Sequence, residues 1–144
     1  MKPDELIEKL DDTRIVEAIA AAERRSSGEI RVCISHRRRT DALAAARQRF
    51  FKLGMERTRR RNGVLIFFAP RTRQFAVWGD TGVHAKCGED FWKGMVAEMT
   101  PLLKEGRFTD AVVLAAEKVG EVLARHFPPD PDDRNELPNR VVGD

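Results

Sequence analysis

A continuous apolar run, Val64-Leu65-Ile66-Phe67-Phe68-Ala69, is opened by Asn62-Gly63 and closed by Pro70. A short basic turn, Arg71-Thr72-Arg73, leads into a second β-rich run, Gln74 to Gly79. Turn residues around two such runs predict strand, turn and strand, a buried hairpin. Upstream, Glu29-Ile30-Arg31-Val32-Cys33-Ile34-Ser35 alternates with period two and predicts a first strand with one strongly apolar face. Helical spacing governs the rest. Leu6, Ile7, Leu10, Ile15, Ile19 and Ala22 mark a helix from Glu5 to about Arg25, with room for a break and a new N-cap near Asp12-Thr13, and Ser26-Ser27-Gly28 ends it. Thr40 or Asp41 caps a second helix running to about Gly54. A third carries Phe91, Trp92, Met95, Val96 and Met99 between Gly88 and Glu105, with Pro101 expected to kink or break it, and a fourth runs from Arg107 to His126.

The order α-β-α-β-β-α-α predicts a three-layer α/β/α sandwich around a short mixed sheet of three to four strands. A helical crossover makes the first two strands parallel, and the hairpin makes the third antiparallel to the second. This topology sorts the charged residues. The starts of strands one and two and the end of strand three share one end of the sheet, which gathers Glu29, Asn62, Asp80, Glu89 and Asp90. The other end gathers Arg37, Arg38, Arg39, Arg71 and Arg73.

Length and composition add bounds. At 144 residues, 42% hydrophobic and 34% charged, the chain is long enough for one domain with a proper core. The domain is expected over residues 1–127. Pro128-Pro129-Asp130-Pro131 stops the last helix, so residues 128–144 are expected to be an extended or disordered tail, on which Leu137, Val141 and Val142 could dock. The chain opens on an acidic, amphipathic segment, without a signal-peptide pattern or a membrane-spanning run, which predicts a cytoplasmic protein. Cys33 and Cys87 lack metal-binding spacing and read as reduced thiols.

No P-loop, nucleophile elbow, HExxH or dinucleotide glycine motif is present. The acidic end of the sheet is the candidate site, because Asp80, Glu89, Asp90 and Asn62 could supply the several oxygens that calcium or magnesium wants. The same residues also admit a purely structural reading, with Glu89 and Asp90 at a helix N-terminus and Asp80 paired to an arginine of the 59–61 run. The basic runs Arg37-Arg38-Arg39 and 57–61 raise nucleic acid or anionic lipid as partners. They fall at opposite ends of the sheet and lack interleaved aromatics, so they form no nucleic-acid track.

In order and separation, Ser26-Ser27-Gly28-Glu29-Ile30-Arg31-Val32, Arg61-Asn62-Gly63-Val64-Leu65-Ile66, Gly79-Asp80-Thr81-Gly82-Val83-His84 and Gly106-Arg107-Phe108 resemble a TPM domain. That family includes a thylakoid-lumen acid phosphatase, proteins of photosystem repair and many bacterial members. The resemblance covers roughly residues 15–127. It implies an α/β/α sandwich and, in some members, a divalent metal, commonly calcium, near acidic residues at the sheet edge. Gly79, Gly82 and Glu89 occupy the family's glycine-pair and acidic positions. Unlike the better-known members, this chain shows no transit peptide, C-terminal membrane helix or N-terminal acidic metal-ligand segment. The expected function is a protein-binding or adaptor module, with a membrane-associated or stress-related protein partner and a divalent-cation site at Asp80, Glu89, Asp90 and Asn62. The alternative is a metal-dependent acid phosphatase, with Asp80, His84 as proton donor and Arg61 as the phosphate-neutralising arginine.

Overall fold

The computed structural model describes residues 1–129 and 141–144. In chain order the elements are α1 (Pro3–Lys9), α2 (Asp12–Arg24), β1 (Glu29–Ile34), α3 (Ala42–Lys52), β2 (Gly63–Ala69), β3 (Gln74–Gly79), α4 (Thr81–Cys87), α5 (Glu89–Lys104), α6 (Phe108–His126) and β4 (Val142–Gly143). One-turn 3-10 helices at Met55–Arg57 and Pro70–Thr72 lie between α3 and β2 and between β2 and β3. The sheet order is β3-β2-β1-β4. β1 is parallel to both β2 and β4, and β2 is antiparallel to β3.

The period of two along the strands sorts side chains into two cores. Ile30, Val32 and Ile34 of β1 and Val64, Ile66 and Phe68 of β2 face the larger one, with Ile15 and Ile19 of α2, Met95 and Met99 of α5, and Val112, Val119 and Leu123 of α6. The intervening Cys33, Leu65, Phe67 and Ala69 face α3, where Ala42, Ala45, Ala46 and Phe50 close the smaller core. The sheet is thus covered on both faces, and the expected three-layer α/β/α arrangement holds. Gly120 on α6 lets α2 come close, since a Cβ there would stand 2.7 Å from the Cβ of Ala22.

Several boundaries have visible causes. The first helical stretch divides at Leu10, whose extended backbone ends α1, and Asp11 caps α2 by accepting from the Arg14 amide at 3.2 Å. Asp41, one of the two expected caps, does the same for α3 through the Ala44 amide at 3.1 Å. Pro101 does not end α5, which continues to Lys104. It stands in the last turn, where one lost amide donor leaves little helix to disrupt. The segment from Thr81 to Cys87, to which the sequence pattern assigned no element, is helix α4.

At the other end of the sheet, β4 pairs with Cys33 and Ile34 of β1. The Asp144 side chain holds it there, accepting from the Ser35 hydroxyl, from the His36 amide at 2.8 Å and from Arg39 Nη2 at 2.8 Å. Val142 therefore docks on the domain, whereas the docking suggested for Leu137 lies outside the described residues. Among the described residues no helix is long and apolar enough to cross a membrane.

Candidate functional site

The start of β1, the start of β2 and the end of β3 lie side by side, with Glu29 opposite Gly63, Gly79 opposite Val64, and the Asp80 amide on the Gly63 carbonyl at 2.9 Å. Here the chain leaves the sheet for α4, and Asp80 is its N-cap, accepting from the Thr81 amide at 2.7 Å. Arg61 faces it from the turn before β2. Its backbone is left-handed, φ 53°, which turns its carbonyl onto the first amides of α4: Gly82 donates to it at 2.8 Å and Val83 at 3.3 Å. Its guanidinium meets the same helix start in a fork, Nε to Asp80 Oδ2 at 2.7 Å and Nη2 to Oδ1 at 2.9 Å. The Asp80 hydrogen bonds push the Arg61 pKa further up. The pair is lopsided in exposure: the Asp80 side chain is 1% exposed and that of Arg61 42%.

Asn62, next to Arg61 in the chain, is buried. Its amide N–H donates to Thr58 Oγ1 at 3.2 Å and its Nδ2 to Ser27 Oγ at 3.1 Å. Its Oδ1 has no hydrogen-bond partner among the described residues. Glu29, next to it on β1, is also buried and has its own interaction.

His84 is exposed on α4, where its Nδ1 accepts from the Trp92 indole N–H at 3.0 Å. In the neutral ring the proton is then on Nε2. The benzo edge of Trp92 fills the space at Gly79, where any Cβ would stand 2.3 Å from the indole, and Phe91 meets Trp92 edge-on. Glu89 and Asp90 are exposed in the first turn of α5, behind Gly88, and favour that helix's positive end.

Of the residues predicted from sequence, the structure pairs Asp80 with Arg61, while the Asn62 side chain turns to Ser27 at the same end of the sheet. Glu89, Asp90 and His84 follow on α5 and α4. Among the described residues, no three of His, Cys, Asp and Glu are grouped so that they could hold a metal ion. Sequence reasoning missed Ser27 and Thr58, which orient Asn62, and Trp92, which fills the space that Gly79 leaves. A glycine at the end of an apolar strand was the available sign of a large side chain crossing there.

These geometric features coincide with a sequence match. The model of the TPM domain family matches residues 1–122. No curated protein matches the sequence. Among solved structures, the chain is similar to the NMR structure of the BA42 protein from the psychrophilic bacterium Bizionia argentinensis. The TM-score is 0.83 and the identity 36%, with 92% of each chain covered. With the model spanning β1, β2 and β3, the Arg61–Asp80 corner and most of α6, the chain belongs to the TPM domain family.

Proposed function

We propose that this domain is a binding module rather than an enzyme, that it takes a divalent cation, calcium foremost, at the Asn62–Asp80 end of the sheet, and that it engages a protein partner. One observation carries the cation reading: Asn62 Oδ1 is buried without a donor, at the end of the sheet where the Asp80 side chain is buried too. A buried oxygen without a partner costs about 1–3 kcal/mol. A hard cation is the kind of group that such an oxygen, a carboxylate and nearby backbone carbonyls satisfy together. Asp80 and Asn62 would hold the ion, with Glu89 and Asp90 as outer carboxylates. Arg61 supplies the positive charge when no ion is bound. Being half-exposed, it can leave Asp80 for water, whereas Asp80 cannot follow it. The ion's contribution would be to neutralise Asp80 and to order the start of α4 against the turn before β2.

Support for a protein partner comes from the outer face of α3. Leu43 and Phe51 are exposed there, and the Arg47 guanidinium lies 5.6 Å from the Phe51 ring and 5.7 Å from that of Trp78. Aromatic side chains and arginine together are what protein interfaces favour.

The test is a calcium titration of chelator-stripped protein followed by amide NMR. Saturable shifts centred on Asn62 and Asp80, abolished by Asp80→Asn, are expected. An unchanged spectrum at millimolar calcium would overturn the cation reading.

A second reading, metal-dependent hydrolysis of phosphomonoesters, is favoured by His84, whose exposed Nε2–H is positioned to donate while Trp92 holds Nδ1. Metal-dependent turnover that disappears in both Asp80→Asn and Glu89→Gln would put it in place of the first.

A further inference from the structure

At the opposite end of the sheet, a groove of about 520 Å³ opens between α1, the α5–α6 turn and the β2–β3 turn. Its walls include Leu6, Phe68, Phe75, Leu103 and Phe108. The rings of Phe68 and Phe75 stack at 6.2 Å. The charged residues along it are all cations, Lys9, Arg73 and Lys104. An adjoining hollow shares Arg73 and adds Lys2, Arg38 and Arg71, with Glu5 as its acid. Neither Arg38, Arg73 nor Lys104 has a carboxylate partner among the described residues.

The polar side chains in the groove are already committed. Gln74 accepts from the Ala42 amide at 3.1 Å and donates to the Thr40 carbonyl at 3.2 Å. The Thr100 hydroxyl donates to the Val96 carbonyl at 2.7 Å, and Pro70 has no N–H to give. The walls therefore offer apolar contact and positive charge, but little that would pair with a peptide backbone. This combination suits a ligand with no backbone to satisfy, an apolar chain at one end and an anion at the other.

We propose that the groove binds a monomeric medium-chain fatty acid, its acyl chain along Phe68, Phe75, Leu103 and Phe108 and its carboxylate at Arg73 and Lys104. The volume lies within the range of about 300–1,000 Å³ usual for small-molecule sites. Each buried methylene contributes about 0.8 kcal/mol, so affinity should rise steeply with chain length. The cations fix which end points outward. The inference is independent of the cation site, which lies at the other end of the sheet.

The probe is sodium dodecanoate, kept below its micellar concentration and titrated into the full chain, with binding read from amide and methyl NMR shifts. Saturable shifts at Phe75, Leu103 and Phe108 are expected, with octanoate and dodecanol each binding at least about tenfold more weakly, a difference of about 1.4 kcal/mol. The double variant Arg73→Asn/Lys104→Gln should lose a similar factor. Asparagine is chosen because Arg73 is left-handed, φ 54°, a conformation asparagine tolerates. The dodecanol comparison needs no variant and so stands even if the double variant fails to fold. Equal affinity for dodecanol and dodecanoate, or no saturation, would overturn the proposal. So would a response confined to vesicles containing anionic phospholipid, which would make this a membrane-facing surface, or one confined to an acidic peptide.

Discussion

A Cβ on Gly82 would stand 2.1 Å from the carbonyl oxygen of Arg60, closer than any side chain can come. The obstruction is backbone, the Arg61 carbonyl lies only 2.6 Å from the same point, and that carbonyl is the one to which the Gly82 amide donates. Room for α4 to start against the turn before β2 thus depends on a missing methyl group. Gly82→Ala should destabilise the fold by about 2–3 kcal/mol, seen as a lower urea midpoint with an unchanged slope. Gly94, on α5, has nothing within 4 Å of its would-be Cβ. Gly94→Ala should instead be neutral or stabilise by up to about 1 kcal/mol.

The unequal exposure of Arg61 and Asp80 predicts unequal mutational costs. Asp80→Asn keeps a good helix cap and releases Arg61 to water, so its cost should stay within about 1 kcal/mol. Arg61→Gln leaves a buried carboxylate without its countercharge and should be the more destabilising of the two. Paired denaturation curves at neutral pH decide it, and the reverse order would mean that Arg61 contributes little to holding Asp80.

Acid should free β4. Burial works to raise the Asp144 pKa, but hydrogen bonds from Arg39, Ser35 and the His36 amide, with the Arg39 charge, outweigh it and hold it at about 2. A carboxyl depressed from an ordinary 3.8 contributes stability above that value and loses it as pH falls through about 2. Amide shifts of Val142 and Gly143, together with those of Cys33 and Ile34, should therefore change together between about pH 4 and 2. Asp144→Asn should show the released pattern already at neutral pH.

The two thiols should differ in reactivity. Cys33 is fully buried on β1, and burial pushes its pKa up to about 11 despite the opposing charge of Arg49. Cys87, at the end of α4, is partly exposed, and burial raises its pKa as well. An alkylating reagent at pH 8 should slowly add one group to the native protein, at Cys87, and a second only after unfolding. Native labelling of Cys33 would show that β1 opens without global unfolding.

The β2–β3 hairpin and β1 were legible in the sequence because an apolar run bounded by Asn62-Gly63 and Pro70, and a strict alternation from Ile30 to Ile34, have few other solutions. Two covered sheet faces followed from the element order α-β-α-β-β-α-α. Helix α4 was not legible. Of its residues only Val83 is buried, so it has no apolar period, and its existence depends on the Asp80 cap and the Arg61 carbonyl arriving from elsewhere in the fold. Nor could β4 be read, since two residues carry no period and their anchor is the Asp144 side chain. At the candidate site, topology was enough to put Asn62 and Asp80 at the same end of the sheet. That Arg61, rather than Arg59 or Arg60, turns onto Asp80 depends on a left-handed backbone set by tertiary contacts. Ser27, Thr58 and Trp92 enter through such contacts too.

The α2–α6 seam, where Gly120 admits Ala22, also bears on the order of events during synthesis. Thr109 of α6 accepts from the Asp11 amide, 98 residues earlier in the chain, and Arg14 reaches Asp110 across 96. The β2–β3 pairing is local and can form within microseconds, whereas closing so distant a seam is slow and must wait for α6 to be made. A ribosome paused before α6 would hold out a nascent chain with the inner side of α2 and the Ile30, Val32, Val64 and Ile66 face of the sheet uncovered. That interval is when the chain would be a client for chaperones.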